Sequence, residues 1–213
     1  MRQNKTIWAF AFAAIILPVA AYAVVTWYEN KYQKLPVLGE SKMINGSLMP
    51  HQVSDFSLTN QEGNTVTTET WKDKIVVCNF FFTRCPSICP KMTNNIKVAD
   101  EYFKDNDRII FNSISVDPEN DNAEQLNSFA RLYQINASSW QLLTGDKKEI
   151  YKLARNSFMV VATDGDGGPD DFIHSESVIL VDPQRRIRGY YNGTEEKDIK
   201  KMIADIKKLE NEN

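Results

Sequence analysis

The apolar run Lys74 to Phe82 (KIVVCNFFF) constrains this chain more than any other stretch. It has the length of a strand and a β-branched and aromatic composition, and it is apolar at almost every successive position. Both its faces must therefore be covered, which is the pattern of a central strand. From Pro90 a helical period follows, with Met92, Ile96, Ala99 and Phe103 on one stripe. A second strand-like run, Arg108 to Val116 (RIIFNSISV), comes next. Strand, helix and strand in that order imply a right-handed crossover into a parallel sheet.

The alternation continues downstream. Leu126, Phe129, Ala130 and Tyr133 form another helical stripe, and Trp140 to Leu143 reads as a short strand. Asp146 with Glu149 predicts a capping-box-like helix start. Ser177 to Val181 and Arg186 to Tyr191 predict a β-hairpin turned by Asp182-Pro183-Gln184-Arg185, with proline at the second turn position. A last helix, capped by Thr194, faces Ile199, Met202, Ile203, Ile206 and Leu209 inward. Upstream, Asp55 to Leu58 alternates as an edge strand would. The class is α/β, a thioredoxin-like mixed sheet flanked by helices, and 213 residues suffice for one such core plus an appendage.

The appendage is N-terminal. Ile7 to Trp27 carries no charge, and at helical rise it spans roughly 30 Å of hydrocarbon. Arg2 and Lys5 precede it, and Trp8, Trp27 and Tyr28 stand where headgroup belts would be. The expected organisation is a cytoplasmic N-terminus over 1–6, a transmembrane helix over 7–27, a tether over 28–51 and the folded domain over 52–213. The domain would lie on the periplasmic or extracytoplasmic side of the cell membrane. Ala21-Tyr22-Ala23 also has the form of a signal-peptide cleavage site, and with either reading the domain is exported. No cysteine directly follows the run, so lipid attachment is not indicated. His51, in the tether, reads as a solvated side chain.

Lys and Arg number 25 against 28 Asp and Glu, a net charge of -3, which leaves no basic excess to neutralise phosphates and excludes a nucleic-acid-binding reading. Three cysteines are too few for a disulfide scaffold and leave one pair and one single thiol.

Cys85 and Cys89 lie in FTRCPSICPKM, between the central strand and its helix, where open α/β sheets place their sites. A spacing of four brings both sulfurs to one side of a turn, and a helix N-terminus favours thiolate, the form that attacks disulfides or binds a soft metal. Pro86 and Pro90 stiffen the loop. Cys78, inside the strand, reads as a buried small hydrophobe and as the odd thiol. His174 precedes the strand Ser177 to Val181. In a thioredoxin-like topology that entry loop faces the loop after the first βα strand, by analogy of fold. Two thiolates and an imidazole suit Cu(I), whereas zinc would want a fourth ligand. The stretch Thr163 to Asp171 (TDGDGGPDD) fails the EF-hand template and reads as a solvated, mobile loop.

Four segments together, FFFTRCPSICPKM, SVDPENDNAEQLNSFARLY, WQLLTGDKKEIYKLA and HSESVILVDPQRRIRGYYNG, resemble the Sco/SenC proteins, thioredoxin-fold copper chaperones of cytochrome c oxidase assembly. The resemblance runs from Val53 to the last helix. It implies that Cys85, Cys89 and His174 are copper ligands, that the N-terminal anchor is retained, and that the partner is the copper-site subunit of a terminal oxidase. It leaves two roles open, copper carrier and thiol:disulfide oxidoreductase acting through Cys85 and Cys89. Ile173 departs from the family, whose members often have an acidic residue directly before the histidine.

Overall fold

The computed structural model describes residues 2–32, 34–160 and 175–212. They form two units, Met1–Lys34 and Leu35–Asn213. The expected ligand His174 and the stretch Thr163 to Asp171 lie outside the described residues.

The first unit is one helix, α1 (Arg2–Tyr32), which covers all of 7–27 and runs through Pro18. Its alanine-rich sequence favours helix strongly enough to absorb the ladder bond that proline removes. Among the described residues, no helix is long and apolar enough to cross a membrane.

The second unit opens with a small hairpin, β1 (Lys42–Ile44) and β2 (Ser47–Met49), separate from the main sheet. The main sheet comprises β3 (Ser57–Asn60), β4 (Thr65–Thr67), β5 (Ile75–Phe81), β6 (Ile109–Ser115), β7 (Trp140–Thr144), β8 (Ser177–Val181) and β9 (Ile187–Asn192). Their order is β4-β3-β7-β6-β5-β8-β9. Helices α2 (Ile88–Tyr102) and α3 (Ala123–Tyr133) are the crossovers that keep β5, β6 and β7 parallel, and the outer strands pair antiparallel. Helix α4 (Lys147–Lys152) passes into a wider turn over Leu153–Ser157, and α5 (Glu196–Glu210) closes the chain.

Every residue of β5 is buried, as the apolar run requires. Alternation divides it between two cores. Ile75, Val77 and Phe81 pack with Met92 and Ile96 of α2, Leu126 and Phe129 of α3, and Met202 and Ile206 of α5. Val76, Cys78 and Phe80 face the other way, with Trp71, Ile150, Tyr151 and Phe158. The buried indoles are both satisfied, Trp71 by Asn112 Oδ1 (2.7 Å) and Trp140 by Ser113 Oγ (2.9 Å). An orphaned buried N–H would cost about 1–3 kcal/mol.

Several local expectations hold. Asp146 Oδ1 accepts from the Glu149 N–H at 3.0 Å and starts α4. The β8–β9 turn closes with Arg185 N–H donating to the Asp182 carbonyl at 2.8 Å, and Arg185 adopts φ 62°, the left-handed residue that commonly follows such a turn.

Four differ. The strand expected at Asp55 to Leu58 is Ser57–Asn60, and it lies inside the sheet, because the polar β4 pairs outside it. Helix α2 starts at Ile88 rather than Pro90, since proline in a first turn gives up only an N–H that has no helical partner. Thr194 does not cap α5: its hydroxyl donates to Asn192 Oδ1 at 2.7 Å, and Glu195 holds the cap position. Residues 35–51, read as part of a tether, belong to the second unit, and groups remote in sequence hold its start. Arg188 donates to the carbonyls of Leu35 (2.5 Å) and Pro36 (3.0 Å), and Leu38 N–H donates to the Ile187 carbonyl (2.8 Å). His51 is not a free solvated side chain, since its Nε2–H donates to the Ser157 carbonyl at 2.7 Å.

Candidate functional site

The site is assembled where β5 ends and α2 begins. Phe82 to Ser87 turn the chain, and Cys89 falls in the first turn of α2, 5% exposed and part of the core under the helix. Cys85 precedes the helix and is half-buried.

The cap position of α2 is held by Ser87, whose side chain makes no capping bond. A helix N-terminus offers unpartnered N–H groups and the positive end of its dipole. Here the sulfur of Cys85 takes up that offer: the Cys89 N–H donates to Cys85 Sγ at 3.3 Å. Burial alone would push the Cys85 thiol up. Backbone N–H groups of Cys89, Ser87 and Ile88 and the Cys89 side chain outweigh it and hold Cys85 below the ordinary thiol value. Cys89 goes the other way. Burial, with the neighbouring Cys85 and Asp121 charge, pushes it up to about 12, against a weaker backbone hydrogen bond involving Phe82. The pair is thus unequal, with an accessible thiol poised toward thiolate beside a buried one held protonated.

A cavity of about 180 Å³ opens on the two sulfurs, walled by Phe82, Ile88 and Val116, and Ser175 and Glu176 line it as well. Ser175 and Glu176 directly follow His174 in the sequence. A larger cavity, about 530 Å³, lies between Ser54–Leu58 and α4 and is lined by neither cysteine nor histidine among the described residues. The smaller one carries the chemistry, because reactive groups rather than volume define a site. Among the described residues, no three His, Cys, Asp or Glu side chains converge as a metal site.

Cys78 is fully buried on the opposite face of the sheet from Cys89. Burial pushes its thiol well up, as expected for an inert one.

The sequence reading missed Asp121. This carboxylate is 0% exposed and accepts from the Thr83 N–H (3.0 Å), the Thr83 hydroxyl (2.5 Å) and the Ser115 hydroxyl (2.6 Å). It grips the loop two residues before Cys85. The local signal pointed elsewhere, because Asp121 stands next to Asn122, which is the cap of α3 and accepts from the Gln125 N–H at 2.9 Å.

The mixed sheet is thioredoxin-like, and residues 46–211 match the SCO1/SenC family model. The chain belongs to the SCO1/SenC family. It is 35% identical to the SCO1 protein homolog of Bacillus subtilis over 159 residues, covering 74% of this chain and 82% of that protein. The structure of BsSco, described as having a disulfide switch and as a member of the Sco family of cytochrome c oxidase assembly proteins, is similar. Its TM-score is 0.66 at 34% identity, over 76% of this chain and 95% of that one. Bradyrhizobium japonicum ScoI with copper bound gives a TM-score of 0.59 at 28% identity, over 74% and 99%. In this SCO1/SenC chain, the helix start that carries Cys85 and Cys89 lies inside the matched region.

Proposed function

We propose that this SCO1/SenC chain is a membrane-anchored copper-binding assembly factor. In this reading Cys85, Cys89 and His174 hold a copper ion as cargo and deliver it to the copper-site subunit of a terminal oxidase. The observation that carries it is the first turn of α2, which sets Cys85 Sγ against the Cys89 N–H in a cavity also lined by the residues that follow His174. Two adjacent sulfurs fit a soft cation, and thiolate character at Cys85 favours ligation. A similar protein, ScoI of Bradyrhizobium japonicum, has been solved with copper bound.

The uncharged run 7–27 supports the anchor, with 1–6 in the cytoplasm and the unit Leu35–Asn213, which contains the domain expected over 52–213, on the extracytoplasmic side. The test is metal analysis of the full chain, purified in detergent and kept reduced. One copper per chain is expected, with binding strongly weakened in both Cys85→Ala and Cys89→Ala. Unchanged stoichiometry and affinity in both variants would sink the assignment.

A second reading rests on the inequality of the thiols. An accessible low-pKa thiol beside a buried high-pKa one is the arrangement of an attacking and a resolving cysteine, so a thiol:disulfide oxidoreductase acting on partner cysteines is the alternative.

A further inference from the structure

We propose that Asp121 is a positioning residue for the Cys85/Cys89 pair: through Thr83 it holds the loop that sets Cys85 against the first turn of α2, and so governs how readily the two thiols close into a disulfide. The proposal rests on Cys85 and Cys89 being the working pair.

Thr83 is the last residue but one before Cys85, and both its donors end on Asp121, the hydroxyl on Oδ1 and the backbone N–H on Oδ2. A residue held by main chain and side chain at once cannot swing or slide. Oδ2 is tied in turn to the end of β6 through Ser115 Oγ, so the loop is referenced to the sheet. Between Thr83 and the sulfur the chain is short and tight, with the Cys85 N–H donating to the Phe82 carbonyl at 3.3 Å. The other half of the pair is fixed separately, because Met92 and Ile96 root α2 in the core at 0% and 1% exposure. Approach of the two sulfurs is therefore a property of the loop and not of the helix.

All three partners of Asp121 are neutral donors, so a carboxylate is buried here at a desolvation cost that a smaller neutral residue would avoid. What it gains is two acceptances from one loop residue and a third that ties them to the end of β6. The neighbouring contact, Arg84 with Asp117 at 3.1 Å, leaves Arg84 61% exposed and is a surface pair of small effect.

Disulfide closure has strict geometry, so a change in where the loop rests alters the balance between dithiol and disulfide. The latch as seen here holds the dithiol arrangement, in which the Cys89 N–H donates to Cys85 Sγ. Releasing it should favour oxidation. In the test reaction, the dithiol and oxidised glutathione give the Cys85–Cys89 disulfide and two molecules of reduced glutathione. The glutathione S–S bond breaks, the protein S–S bond forms, two electrons pass to glutathione, and both thiol protons end on it.

The experiment equilibrates the full chain in detergent with glutathione buffers and reads the oxidised fraction by mass spectrometry. Asp121→Asn keeps the shape but offers one acceptor oxygen in place of two, so at least one bond is lost. Its oxidation constant should rise about tenfold, which corresponds to about 30 mV for a two-electron couple. Thr83→Val should shift the same way, Thr83→Ser should restore the wild-type value, and Asp117→Asn should leave it unmoved. Where Asp121→Asn fails to fold, the Thr83→Val and Thr83→Ser pair decides. Folded Asp121→Asn and Thr83→Val chains with the wild-type constant, or an equal shift in Asp117→Asn, would overturn the proposal. A wild-type chain that binds copper but forms no reversible Cys85–Cys89 disulfide overturns it too, while leaving the copper reading standing.

Discussion

The N–H of Cys89 donates to the sulfur of Cys85 at 3.3 Å, so one cysteine of the pair serves as the helix cap of the other. The two thiols share a helix end, yet only Cys85 is stabilised as thiolate by it, because Cys89 sits under the helix in the core.

This inequality predicts the order and pH dependence of alkylation. The thiolate is the reactive form, so a lowered pKa brings the rate plateau of Cys85 to lower pH than that of a free cysteine. Cys89, pushed up to about 12, stays a thiol through neutral and moderately alkaline pH and reacts slowly. The linkage has the matching sign: the raised pKa of Cys89 contributes stability below the ordinary thiol value that is lost as pH rises toward 12. Mass spectrometry after timed iodoacetamide pulses from pH 5 to 9 checks this, and Cys89 reacting first would refute it.

Cys78 should be dispensable for metal and thiol chemistry, since it is fully buried on the other face of the sheet. Cys78→Ala should cost about 1 kcal/mol through the small cavity it leaves. Denaturant titration measures that cost, and copper stoichiometry should be unchanged. A disulfide joining Cys78 to Cys85 or Cys89 would show the pairing to be wrong.

Arg188 ties the start of the second unit to its last helix end and should be worth far more than a surface charge. It is buried, bonds Asp182 Oδ2 at 3.1 Å and Glu212 Oε2 at 2.5 Å, and holds the carbonyls of Leu35 and Pro36. Arg188→Ala removes a buried cation from Glu212 and leaves buried Asp182 with Arg186 alone, and should cost about 3 kcal/mol. Trypsin cleavage at Lys34 or Lys42 should also quicken as the start of the unit comes loose. Stability within 0.5 kcal/mol of wild type, the scale of an ordinary surface substitution, would contradict the clamp.

His174→Ala separates the two readings of the site. Loss of an imidazole ligand should abolish tight copper binding and oxidase maturation while leaving a reducible Cys85/Cys89 disulfide. Copper affinity in vitro and oxidase copper content in cells carrying the variant are the measurements. Normal oxidase assembly by a chain that no longer holds copper would favour thiol chemistry.

The sequence by itself determined what depends on neighbours along the chain. The nearly continuous apolar run Ile75–Phe81, broken only by Asn79, demanded a strand covered on both faces, the stripes through Met92 and Leu126 demanded helices, and Asp146 marked the start of α4. The site residues Cys85 and Cys89 were legible for the same reason, since a strand end, a turn and a helix start are local features. Only the tertiary structure decided what joins segments remote in sequence. It made β3 an interior strand by pairing β4 outside it, ordered Leu35 and Pro36 against Arg188, and seated His51 on Ser157. It made Cys89 buried and Cys85 accessible, and it turned Asp121 from the neighbour of a helix cap into the anchor of the cysteine loop. Hydrogen bonds and burial between distant segments are set by packing, and no period or spacing along the chain encodes them.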